Sequence, residues 1–189
     1  MSAATTSPQR AASFTERAAS VGTQVHSATR AEAADVILRL LAAEPARVVA
    51  LDAAGHAGLP ALAAALAAAG IAVLPPDAPV DALARAEGGV SVAAFAVAET
   101  GSVALAAAAP TDRLVSMLPS LHIAIARHSQ IVPDLDAAAE RLRAWTTPPI
   151  AQPYVSLVTG ASRTSDIERV LTIGVHGPRV HHVVLLTDE

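Results

Sequence analysis

Apolar residues along this chain come in short blocks, most of them closed by Gly, Pro or a charged side chain, and the blocks alternate between two kinds. Arg47–Leu51, Ile71–Leu74, Leu121–Ala126, Tyr154–Val158 and Val180–Leu186 are short, nearly continuous apolar runs that read as strands. Between them, Thr29–Glu44, Leu59–Ala69 and Asp134–Trp145 carry Ala and Leu at helical spacing. Thr29 and Glu32 stand at capping-box spacing, Pro45 closes the first helix and Gly70 the second. Asp134 is placed to cap the third helix, and Arg141 and Arg143 complement the dipole at its end. Asp81–Glu87, Asp112–Leu118 and Asp166–Leu171 read as shorter helical turns. Strand, helix, strand over residues 47–74 has the spacing of a parallel crossover. The alternation predicts an α/β fold, a mostly parallel open sheet with helices on both faces.

Residues 1–12, rich in Ser, Thr, Ala and Gln, read as a disordered tail. Residues 13–28 form a helical or irregular segment, and 29–189 the α/β domain. One polar residue interrupts the longest apolar stretch. Glu99 stands between Val90–Ala98 and Val103–Ala106, followed by Thr100, Gly101 and Ser102, so the two runs are expected to pair as a hairpin with the carboxylate at its turn. Desolvating an unpaired ionised Glu costs several kcal/mol, so Glu99 must be paired, protonated or open to a cleft.

Composition then narrows the chemistry. The sequence contains no cysteine, which excludes disulfides, thiolate catalysis and cysteine-held clusters or zinc within it. The formal charge is -4, and the 13 basic residues, all Arg, form no run, which argues against a nucleic-acid face. The first residues lack the basic start and apolar core of a secretory signal. Leu59–Ala69 is far shorter than the ~20 residues that span a bilayer. A soluble, cytoplasmic protein without a membrane span is the expectation.

Two further segments carry candidate chemistry. Val158–Glu168 reads as a strand, a small-residue loop and a helix start, where Gly160, Ser162, Arg163 and Thr164 could hold a phosphate or carboxylate. The alternative is that Thr164 or Ser165 caps the helix and Arg163 pairs with Asp166 or Glu168. Gly174–Pro178 is a tight loop that presents His176 beside Gly177, as a proton donor, a ligand contact or a structural turn residue. Arg113 leads a short helix and is either a surface cation or the neutralising partner of Glu99. His181 and His182 are adjacent in a strand and point to opposite faces; with His122 and His128 dispersed, no histidine metal site is expected.

Taken in order, Ala98–Ser102, Arg113, Leu118-Pro119, His122, Ile131–Pro133, Gly160–Glu168 and Gly174–Pro178 resemble the lactate-utilisation protein C family, the short form of the LUD domain. The likeness runs from about Arg30 to the C-terminus and is strongest over 97–186. It implies a fold like the NagB/RpiA/CoA-transferase superfamily. It also implies a non-cluster component of a system that oxidises L-lactate to pyruvate, with iron–sulfur clusters on partner subunits and no cofactor bound by this chain. On that basis Glu99 and His176 are the candidate catalytic groups. Thr100, Gly101, Arg113, Gly160, Ser162, Arg163, Thr164 and Gly177 are the candidate ligand contacts, for a small anion or a partner subunit, with a homo-oligomer also open. A stand-alone acyl or CoA transferase with Glu99 as nucleophile is the alternative, because a Glu in a Ser-Glu-Asn-Gly turn serves some CoA-transferases and Ala98–Gly101 resembles it. No Gly-rich turn has dinucleotide spacing.

Overall fold

The computed structural model describes residues 7–146, 154–165 and 171–188. The chain opens with helix α1 (Ser7–Ser20), whose Ala11, Phe14 and Ala18 fall on one buried stripe. Burying a Phe of this kind stabilises by about 1.5–3 kcal/mol and, with the two Ala, anchors a segment otherwise rich in polar residues. The expected tail therefore ends before Ser7, and residues 1–6 lie outside the described part. Strand β1 (Gln24–Ala28) follows and pairs in parallel with the last strand of the domain. Residues 13–28 thus belong to the domain. Their alternating Gln, Val, His, Ser pattern has no apolar run to betray the strand.

The expected Thr29–Glu32 bonds form, the Thr29 amide donating to the Glu32 carboxylate at 2.9 Å and the Glu32 amide to the Thr29 hydroxyl at 3.3 Å, but they close a turn ahead of helix α2 (Ala33–Ala43), which starts four residues after Thr29. After β2 (Val48–Leu51), Asp52 caps the short α3 (Ala53–Gly58), which runs into α4 (Pro60–Ala68). Strand β3 (Ala72–Val73) and α5 (Val80–Leu83) lead to β4 (Gly88–Val92). Here the structure departs from the expected hairpin. The apolar run 90–98 divides at Ala93 and Ala94, so β4 joins the main parallel sheet and β5 (Phe95–Val97) a second one. Only β5 pairs antiparallel with β6 (Ser102–Ala107) across the Glu99 turn. Two strands of one continuous run look alike in sequence because both are buried on both faces.

Helix α6 (Pro110–Val115), β7 (Leu121–Arg127), β8 (Ile131–Val132), α7 (Leu135–Thr146), β9 (Tyr154–Val158), β10 (Arg163–Ser165), β11 (Leu171–Ile173) and β12 (Val180–Leu186) complete the order. The expected loop over Arg163–Ser165 is instead a strand, paired antiparallel with Leu171–Ile173. Leu171 therefore starts a strand, and the remainder of the expected helix over Asp166–Leu171 lies outside the described residues.

The main sheet has the order β1-β12-β7-β4-β2-β3, parallel throughout. One face carries Val90, Ile123, Ile125, Val184 and Leu186 against α2 and α4. The other packs Ala124, Ala126, Val183 and Leu185 against α1 and the second sheet, β8-β5-β6-β9. Helix α7 covers that sheet's outer side, with the Trp145 ring 5.3 Å from Phe95. The fold is the expected α/β class, while strand β1, the second sheet and the β10–β11 pair are elements the periodicity did not reveal.

Candidate functional site

Glu99 is exposed, and its surroundings explain it. Its amide donates to the Pro133 carbonyl at 3.0 Å, and its carboxylate accepts the Leu135 N–H at 2.9 Å. The Asp134 carboxylate accepts from the Ala137 amide at 2.9 Å. Two carboxylates thus satisfy free donors in the first turn of α7, where negative charge also suits the helix dipole. Of the three options open to this carboxylate, pairing is the one observed, and the partner is main chain.

The residues after Glu99 tie the second sheet to α1. Thr100, Ser102 and Thr159 hydroxyls form a chain with 2.7 Å at each link. Gly101 has φ 68°, and a Cβ there would lie 2.3 Å from the Ala18 amide nitrogen. Gly160 has φ 78°, and its Cβ would lie 2.5 Å from the Val21 carbonyl oxygen. Left-handed backbone and the absence of a side chain are both required where these two turns press on the end of α1. The Arg163 guanidinium donates to the same Val21 carbonyl. Gly101, Gly160 and Arg163 therefore converge on the Ala18–Gly22 segment.

A second group gathers at the opening ends of β7 and β12. The Ser162 amide donates to the Pro178 carbonyl at 2.8 Å, and the Ser162 carbonyl accepts from the Gly174 amide at 2.9 Å. Gly177 lies against the Ser162 side chain. These loops and Met117–Ser120 border a cavity of about 480 Å³, with His176 exposed on its wall beside Arg179. Met117, Leu118 and Val175 there are among the exposed large apolar side chains. Thr164 is half-buried opposite Thr172 in the β10–β11 ladder, so its amide and carbonyl serve a strand pair and no helix start. Arg113 stands apart, its guanidinium 4.8 Å from the centre of the Tyr154 ring. It stacks on an aromatic face, and Glu99 is engaged with α7.

Polar groups that sequence spacing did not join meet inside the main sheet. His122 is fully buried, and the parallel register sets it opposite His181. Their Nδ1 atoms are 3.1 Å apart, and His122 Nε2 is 3.2 Å from the Ser91 hydroxyl. On the other face His26 Nε2 lies 3.3 Å from His182 Nδ1. His181 and His182 do point to opposite faces, but the histidines are paired across strands and not dispersed. Burial favours the neutral form of all four, His26 being the least buried. His122 is pushed well below the ordinary value by burial and by His181, and His181 and His182 are each lowered to about 4, chiefly by burial. His26 is lowered by burial and by Arg39. Among the described residues no group of three His, Asp or Glu is placed to hold a metal.

Asp52 also escaped the spacing argument. It follows β2 directly, its carboxylate accepts from the Gly55 amide at 2.7 Å and the Val92 amide at 3.0 Å, and burial raises its pKa to about 6 against those two bonds. The connection from β2 runs outward to β3 and that from β4 runs back to β7, so Asp52 stands where the sheet reverses direction. An acid immediately after a buried strand was the available signal.

An open parallel α/β sheet backed by a small mixed sheet, with loops clamped on an N-terminal helix, defines the class of this domain. The LUD domain model matches residues 11–186, and the chain belongs to that family. It is 37% identical over 106 residues to lactate utilization protein C of Macrococcus caseolyticus, covering 56% of this chain and 46% of the relative. It is 34% identical over 106 residues to the protein of the same name in Bacillus subtilis, covering 56% and 44%. The chain thus spans about half the length of the curated relatives it matches. A DUF162 family protein from Deinococcus radiodurans has a similar structure, with TM-score 0.71 and 26% identity over 96% of this chain and 98% of that one. The motif resemblance to the lactate-utilisation family agrees with these matches. No helix among the described residues is long and apolar enough to cross a membrane.

Proposed function

We propose that this chain acts in lactate utilisation as a non-cluster component of a system that oxidises L-lactate to pyruvate. The supporting observation is the family match over residues 11–186 together with relatives named for lactate utilisation. Electrons leaving lactate need an acceptor, and a sequence without cysteine offers no thiolate to hold an iron–sulfur cluster. In this reading the clusters sit on partner subunits. The rim formed by Met117–Ser120 and Gly174–Arg179, with its exposed Met117, Leu118 and Val175, is the surface offered to them.

Deletion of the gene is expected to abolish growth on L-lactate while leaving growth on pyruvate intact. Tagged chain purified from lactate-grown cells is expected to bring down iron-containing subunits, and Val175→Asp to release them. Normal growth of the deletion strain on L-lactate would end this assignment. Glu99 Oε2 accepts the Leu135 amide, so a role as acyl nucleophile would fall to the other carboxylate oxygen.

A further inference from the structure

One cavity lies away from every motif residue, at the carboxyl ends of the central strands. Its floor is Val92 of β4, Ile125 of β7 and Leu186 of β12, and Ala54, Gly58 and Leu59 of the α3–α4 segment form its roof. Arg30, in the loop after β1, and Arg127, the last residue of β7, complete the lining. Crevices at the carboxyl ends of strands are where open α/β sheets take ligands.

Two cations line this apolar cleft, and no carboxylate is among its lining residues. Among the described residues neither guanidinium has an ion-pair partner. Acids beside the lining accept from main-chain amides, Asp112 from that of Ala53 at 3.1 Å. Asp188 accepts from the main-chain N–H of Arg30 at 2.6 Å, which fixes the Arg30 loop to the exit of β12. Asp52 accepts from the amides of Gly55 and Val92. The cavity measures about 210 Å³. At ~30 Å³ per water it holds roughly seven waters, below the ~300–1,000 Å³ of pockets for drug-sized ligands. A nucleotide or a CoA does not fit inside it, whereas a short carboxylate does.

We propose that this crevice binds a small organic carboxylate, its charged end held by Arg30 and Arg127 and its apolar end laid on Val92, Ile125 and Leu186. Two forked cations recognise a planar carboxylate, and the aliphatic floor favours an anion with a carbon tail over a fully hydrated one. The lactate reading guides the choice of probes but is not needed for the site.

The test is calorimetric titration of the full chain with pyruvate, L-lactate, propionate and orthophosphate. At least one of the carboxylates is expected to bind saturably, and more tightly than orthophosphate. Arg127→Gln and Arg30→Gln should each weaken that binding about tenfold or more, about 1.4 kcal/mol. Arg127→Lys should weaken it less, and Arg85→Gln, an exposed cation elsewhere, should leave it unchanged. Ala54→Phe, at an exposed position on the roof, should block binding with both guanidiniums present. Circular dichroism confirms that each variant is folded. The proposal is overturned if no carboxylate binds, if orthophosphate binds as well as the carboxylates, or if binding survives both Gln variants or Ala54→Phe. Arginine-dependent binding of propionate without pyruvate or L-lactate would uphold the site and separate it from the lactate reading, which the growth test decides.

Discussion

The two ends of the main sheet use their polar residues differently. At the motif end, Glu99, Gly101, Gly160, Ser162 and Arg163 each meet another stretch of the same chain: α7, α1 or a neighbouring loop. At the carboxyl end, Arg30 and Arg127 line an apolar cleft with no acid among its lining residues. Residues recognisable by spacing are here the ones that hold loops in place. Those with free charge come from distant strands and share no motif. Proximity of motif residues in sequence therefore says more about fixing loops than about meeting a ligand.

The largest expected effect concerns the buried histidines that lie between these ends. Below about pH 6.5 the unfolded chain takes up protons on histidine, while folded His181 and His182 stay neutral until about pH 4. Protons then favour the unfolded state, so stability is full above 6.5 and falls as pH drops towards 4. His181 alone amounts to about 3 kcal/mol by this route. Asp52 acts in the opposite sense, because its folded value of about 6 lies above the ordinary aspartate value of 3.8 and protonation there favours the folded state. One acid opposes four lowered histidines, and the net is a loss. Urea melts between pH 7.5 and 4 measure it, and a flat or rising profile would refute the buried neutral pairs.

Gly101→Ala comes next, at about 3 kcal/mol, because φ 68° and a 2.3 Å approach to Ala18 add backbone strain to overpacking. Its thermal midpoint should drop sharply. If Gly101 served a ligand and not α1, the melt would hardly change.

How much of this was legible depended on whether the deciding contact was local. The Thr29–Glu32 bonds, the cap at Asp134 and the parallel crossover all follow from neighbours in sequence, and the structure repeats them. The step from β4 to β5 was hidden because the chain changes sheets within an unbroken apolar run at Ala93 and Ala94. The His122–His181 pair depends on register between strands 59 residues apart, which no local pattern encodes. Glu99 was located correctly as a turn carboxylate, yet its partner lies on a helix that begins 36 residues later.

At the carboxyl end the expected stability effect is small. Arg127 is exposed and unpaired among the described residues, so Arg127→Gln should shift unfolding by less than about 0.5 kcal/mol while changing carboxylate binding. Stability and binding thus separate at this end, as they do not at Gly101. A melt shifted by several kcal/mol would instead give Arg127 a structural role like that of Arg163.

Glu99 supplies the finest discrimination, through two substitutions and two readouts. Glu99→Gln keeps an oxygen that can accept the Leu135 amide and loses only charge near the N-terminus of α7, a change of about 0.3–1 kcal/mol that salt should diminish. Glu99→Ala removes the acceptor as well and should cost about 1 kcal/mol, with little salt dependence in the added part. A helix cap therefore predicts a graded series in stability and normal growth on L-lactate for the Gln variant. A nucleophile or general base predicts the reverse, since the amide cannot replace a carboxylate in either role: growth lost in both variants, whatever their melts. Loss of growth in folded, stable Glu99→Gln would move this residue from the motif end's scaffolding into the chemistry, and the contrast between the two ends of the sheet would have to be redrawn around it.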